Sequence, residues 1–109
     1  MTESGIEMDK TIKTVTIGHR QLLDVLQVIH VQRTVADDRA NVDEVMCLEN
    51  LSYEMLGKMK NTETGCTIDL DNETRFAIWL ALDIYKIFCT ETKQTDELNY
   101  CIGLMESFR

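Results

Sequence analysis

Between Phe76 and Cys89 only Asp83 and Lys86 are charged, and Ala77, Ile78, Trp79, Leu80, Ala81, Leu82, Ile84, Tyr85, Ile87 and Phe88 leave almost no polar face. A helix that is apolar nearly all round has to be covered on several sides. A chain of 109 residues supplies about four helices, enough to enclose one side of such a helix and part of a second. Either the segment is the centre of a bundle, or its remaining face meets another chain. The absence of proline points the same way. It argues against a loop-rich all-β fold and allows long uninterrupted helices.

The rest of the chain supplies those helices. Thr11 to Ile17 is rich in β-branched residues and reads as a short strand that Gly18 ends. From His19 the period changes: Leu22, Val25, Leu26, Ile29 and Arg33 share one stripe, which predicts an amphipathic helix to about Ala36. Asn41 and Glu44 form a capping box for a second helix, with Val45, Leu48, Leu51, Ser52, Met55, Leu56 and Met59 on its apolar face. Gly57, Lys58 and Lys60 suit its C-terminal end, and 61–65 is a turn. Cys66 to Leu70 is a second extended segment. Asp71 or Asn72 caps a long helix from Glu73 to Thr92, and Thr95 caps a fourth, whose stripe is Leu98, Cys101, Ile102, Met105 and Phe108. The expected fold is mainly α: a four-helix arrangement of two helical hairpins, with a small two-stranded sheet from 11–17 and 66–70. Residues 1–10 read as a loose acidic tail, and 11–109 as a single helical domain in which 11–60 and 66–108 form a pseudo-repeat.

The chain carries 19 acidic against 11 basic residues, a net charge of −8. This argues against direct binding to nucleic acid or to an anionic membrane. The first residues have neither the basic nor the apolar region of a secretory signal, and the longest apolar run, Phe76 to Leu82, is far shorter than a membrane span. The reading is therefore a cytoplasmic protein whose four cysteines are reduced and whose two sequons, at Asn50 and Asn72, are chance.

No catalytic constellation stands out. No cysteine pair is spaced C-x-x-C and His19 and His30 lie eleven residues apart, so neither a metal nor another cofactor is expected. Asp69 to Glu73 resembles part of a calcium loop but lacks its central glycine and distal glutamate. Acidic residues at the start of a helix, favoured by its dipole, account for it. A Cys–His nucleophilic pair has no support beyond the presence of both residue types.

What remains is where the charge falls. Asp37, Asp38, Asp43, Glu44 and Glu49 face only Arg39 between 37 and 50, and Glu63, Asp69, Asp71 and Glu73 face only Arg75 between 61 and 75. The expected function is a non-enzymatic binding module that uses this acidic patch to mask a basic surface of a nucleic-acid-handling protein. In size and acidity the chain resembles small accessory proteins of phages and mobile elements, including anti-CRISPR and other anti-defence inhibitors; the resemblance is one of type, resting on size and charge alone. The alternative is a structural or regulatory homodimer formed through the apolar helix 73–92, with Trp79, Tyr85 and Phe88 on the shared face. A weaker alternative places those aromatics around a small-ligand pocket between the hairpins.

Overall fold

The computed structural model describes residues 11–109; the tail read at 1–10 lies outside them. The elements run β1 (Ile12–Ile17), α1 (His19–Asp38), α2 (Val42–Lys58), β2 (Met59–Asn61), β3 (Cys66–Asp71), α3 (Asn72–Glu91) and α4 (Thr95–Ser107). Helices take 71% of the fold, so it is mainly α with a small sheet. The sheet has three antiparallel strands in the order β1-β3-β2, one more than expected. Met59 is the reason. Its apolar side chain fits the helical stripe of α2, yet it leaves the helix in extended backbone and pairs with Ile68. Pairing with a buried strand satisfies backbone groups that a last helical turn would leave to water.

Strand β3 is central and alternates: Cys66, Ile68 and Leu70 are fully buried, while Thr67, Asp69 and Asp71 point away from the core. Val15 and Ile17 of β1 stand opposite Ile68 and Cys66 on the same inner face. One face of the sheet is therefore apolar and covered, the other polar, as antiparallel sheets permit. The inner face packs under a single core that includes Val25 and Ile29 of α1, Leu51 and Met55 of α2, Ile78 and Leu82 of α3, and Leu104 and Phe108 at the α4 end.

The helices form the two expected hairpins, α1 with α2 and α3 with α4, which meet along α1 and α3. The order strand, helix, helix occurs twice. Helices α1 and α3 are each 20 residues long, offset by 53 positions, and β1 and β3 are offset by 54. Both hairpins turn by the same device. Ala40 and Lys93 adopt left-handed backbone with φ of 55° and 59°, and the next amide donates back into the preceding helix, Asn41 N to Ala36 O and Gln94 N to Cys89 O, each at 2.9 Å. This is how a helix is closed so that the chain can reverse. Strand β2 has no counterpart in the second half.

The caps largely follow the sequence. Asn41 Oδ1 accepts from Glu44 N at 3.3 Å, while Glu44 returns through its side chain to Asn41 Nδ2 rather than to the backbone. Asp71, not Asn72, caps α3, and α4 is preceded by Gln94, with no side-chain cap from Thr95. Arg33, placed on the α1 stripe by periodicity, is half-buried and reaches across to Glu49 of α2 at 2.6 Å. Gln32 Nε2 donates to the Ala81 carbonyl at 2.6 Å and ties the first hairpin to the second.

Candidate interaction surfaces

The acidic residues do not form one surface. Asp37 and Asp38 end α1 and Asp43 and Glu44 open α2, so all four flank the three-residue turn 39–41 and are exposed. Among the described residues the carboxylates of Asp37, Asp38 and Asp43 make no hydrogen bond or ion pair, and exposed Arg39 is the only cation within the turn. Val42 and Met46 lie beside them, 65% and 56% exposed. This end of the molecule combines unpaired negative charge with accessible apolar surface, a mixture found at the rim and centre of protein interfaces.

Of the other acids, Glu49, Asp69 and Asp71 have partners within the fold. Glu49 pairs with Arg33. Asp69 accepts from the Thr14 hydroxyl across the β1–β3 pair at 2.6 Å. Asp71 accepts from Thr74 N at 2.7 Å. That backbone bond, helped by the Thr74 hydroxyl and the charges of Lys58 and Arg75, holds its carboxyl below the ordinary value. Lys58 in turn is raised, first by its bond to Glu54 and then by Asp71 and Asp69. Glu73 is exposed in the first turn of α3. Folding thus brings Lys58, which linear charge counting assigns to the end of α2, near Asp69 and Asp71.

Helix α3 resolves the opening alternative in an unexpected way. It touches α1, α2, α4 and β3, so it is the central helix. Even so, Phe76, Leu80, Ile84, Ile87 and Phe88 remain between 43 and 61% exposed. At 100° per residue these five share one side of the helix. Of the three aromatics expected on the shared face, Phe88 is on it, while Trp79 and Tyr85 are half-buried against the core. Phe76 and Phe88 each stack on one of them, Phe76 on Trp79 with ring centres 6.3 Å apart and Phe88 on Tyr85 at 6.2 Å.

The three aromatics do not share a pocket either, because helical rotation separates them. Tyr85 lines a groove of about 300 Å³ between α1 and α4, with Val28, Cys101 and Leu104 among its apolar residues and Arg20, Asp24 and Glu97 at its polar edge. Trp79 lines a separate cleft with Phe76 and Phe108, and Phe88 lines neither. The polar groups of the groove satisfy one another: the Tyr100 hydroxyl donates to Asp24 and the Tyr85 hydroxyl to Glu97 at 3.2 Å. Burial, reinforced by Asp24, pushes the Tyr100 phenol up to about 12, and burial likewise raises Tyr85. These bonds fasten α4 to its neighbours.

The chain matches no protein-family model, and no curated protein or solved structure is significantly similar to it.

All four cysteines are unpaired, Cys47 exposed and Cys66, Cys89 and Cys101 buried. Burial raises the thiols of Cys66 and Cys101, the latter to about 11, and Cys101 Sγ donates to the Leu82 carbonyl at 3.2 Å. Raised thiols are poor nucleophiles. Among the described residues no three metal-ligating side chains gather, and no helix is long and apolar enough to cross a membrane. Sequence reading missed exposed Val42 and Met46 of α2 and, on the open side of α3, the positions Phe76, Leu80, Ile84 and Ile87 that accompany Phe88. Periodicity reports which residues share a face. It does not report which face a neighbouring element covers.

Proposed function

We propose that this chain is a non-enzymatic protein-binding module whose acidic α1–α2 turn covers a basic surface of a nucleic-acid-handling protein. The observation that carries the reading is the turn itself: Asp37, Asp38 and Asp43 are exposed, unpaired among the described residues and set beside accessible Val42 and Met46. Unpaired carboxylates speed encounter with a cationic partner, and the apolar pair supplies surface to bury once contact is made. Such a module competes with nucleic acid for the same groove without any catalytic group.

The test compares capture from the native cell by the wild-type chain and by the triple variant Asp37→Lys, Asp38→Lys, Asp43→Lys, with circular dichroism to show that both are folded. The expected result is a basic nucleic-acid-handling protein held by the wild type at about 50 mM salt. It is released near 300 mM salt, where screening shortens the reach of the charges, and it is absent from the variant. A partner held equally by both chains at both salt concentrations would overturn the proposal.

A second reading, in which the exposed side of α3 is an interface between copies of this chain, is favoured by the five apolar side chains left open there. It is compatible with the first, since the turn and the stripe are different surfaces.

A further inference from the structure

The stripe on α3 has an internal symmetry. Phe76, Leu80, Ile84 and Phe88 follow one another at intervals of four, and they read the same in either direction about the level of Leu82: aromatic, aliphatic, aliphatic, aromatic. We propose that α3 packs against α3 of a second copy in antiparallel register, about a two-fold axis level with Leu82; this rests on the self-association reading above. In that register Phe76 neighbours Phe88 of the copy and Leu80 neighbours Ile84. Ile87, the fifth exposed residue, falls opposite Ala77, large against small. An isologous two-fold contact requires a patch complementary to itself, and rows at intervals of four are the ridges that pack helix on helix. Parallel pairing would set Ile87 against Ile87 and align the two helix dipoles, whereas antiparallel pairing opposes them.

The area agrees with a reversible dimer. From their exposures the five side chains present on the order of 450 Å² per copy, about the size of patch that marks an interaction site. Two copies with their flanking residues reach the lower end of the range for specific interfaces, about 1,200 Å² in total. One electrostatic feature is diagnostic. Glu73 and Glu91, both exposed, sit about one turn beyond either end of the stripe and come opposite each other at both ends of the antiparallel pair. Salt relieves that repulsion, so this dimer tightens with salt while binding through the acidic turn weakens.

The experiment uses the full chain carrying Cys47→Ser, which removes its one exposed thiol among the described residues. Sedimentation from about 1 to 100 µM is expected to show a monomer–dimer equilibrium with a micromolar Kd, typical of small interfaces. It should shift toward dimer between about 50 and 500 mM salt and be abolished by Ile84→Lys in a chain that keeps its helical spectrum. Under mild oxidation Leu80→Cys mixed with Ile84→Cys should form a disulfide-linked dimer, and neither variant should do so alone. A strict monomer at 100 µM overturns both the register and the self-association reading. A dimer in which Leu80→Cys cross-links to itself overturns the register but leaves self-association through α3 standing. A dimer indifferent to Ile84→Lys moves the interface off α3 and overturns the proposal.

Discussion

Two glycines give the sharpest check on the packing, because the same substitution should act in opposite directions. Gly65 precedes β3 at the end of the β2–β3 connection, where Thr62 N donates to Gly65 O at 2.9 Å and Gly65 N to the Thr62 hydroxyl at 3.1 Å. A Cβ at Gly65 would lie 2.3 Å from the Ile17 carbonyl oxygen and 3.0 Å from Gly18 Cα. Both are backbone atoms, so no side chain can swing aside. The end of β1 would have to move by roughly 1 Å, opening the contact between Ile17 and Cys66, which are 4% and 0% exposed. Forced displacement in a packed core costs about 2–3 kcal/mol. Gly57 is the control: it lies in α2, and a Cβ there meets nothing within 4 Å. Gly57→Ala should stabilise by about 0.5–1 kcal/mol, since glycine in a helix costs that much relative to alanine. Urea unfolding followed by circular dichroism measures both. The expected outcome is an unchanged m-value, a midpoint that rises for Gly57→Ala and one that falls for Gly65→Ala, with a drop of about 10 °C or more in Tm for the latter. If Gly65→Ala unfolds within about 0.5 kcal/mol of wild type, the close approach between β1 and the β2–β3 turn is wrong.

Further outcomes follow from other parts of the molecule. Ala40→Gly and Lys93→Gly should each stabilise by up to about 1 kcal/mol in thermal melts, because glycine adopts the left-handed backbone at both hairpin turns without a Cβ penalty; destabilisation by both would refute that geometry. Asp71→Ala should cost about 1 kcal/mol at neutral pH through loss of the α3 cap. The wild-type carboxyl is depressed below 3.8, so its contribution is present above that pH and is lost as pH falls through the lower folded value. The gap between variant and wild type should therefore narrow as the pH falls through the carboxylate range, and a gap that stays constant or widens would contradict the assignment. A thiol reagent should label Cys47 quickly and Cys66, Cys89 and Cys101 only at the rate of unfolding, because three of the four are buried; rapid labelling of two or more would mean a more open core.

The legibility of the fold follows from the range of the forces involved. The stripe of Leu22, Val25 and Ile29 and the Asn41 cap are set by residues within about one helical turn of the next, so sequence spacing reveals them. β2 was not legible, since Met59 fits the α2 stripe and becomes a strand only because Ile68 lies opposite it. The candidate acidic patch was half legible. Asp37, Asp38 and Asp43 stay exposed beside their turn, whereas Glu49 meets Arg33, 16 residues away, and Asp71 sits near Lys58. The aromatics divide in the same manner: Trp79 and Tyr85 turn toward the core while Phe76 and Phe88 are left outside.

By itself the sequence determined that the chain is mainly helical, where four helices begin and end to within a few residues, and that α3 carries more apolar surface than one side can hide. These follow from backbone propensity, capping and periodicity, which are local. The tertiary structure alone decided which acids keep a free charge, that the sheet has a third strand, and which side of α3 stays open. Each of these depends on partners distant in sequence, and a side chain is buried or paired only by what folding brings against it.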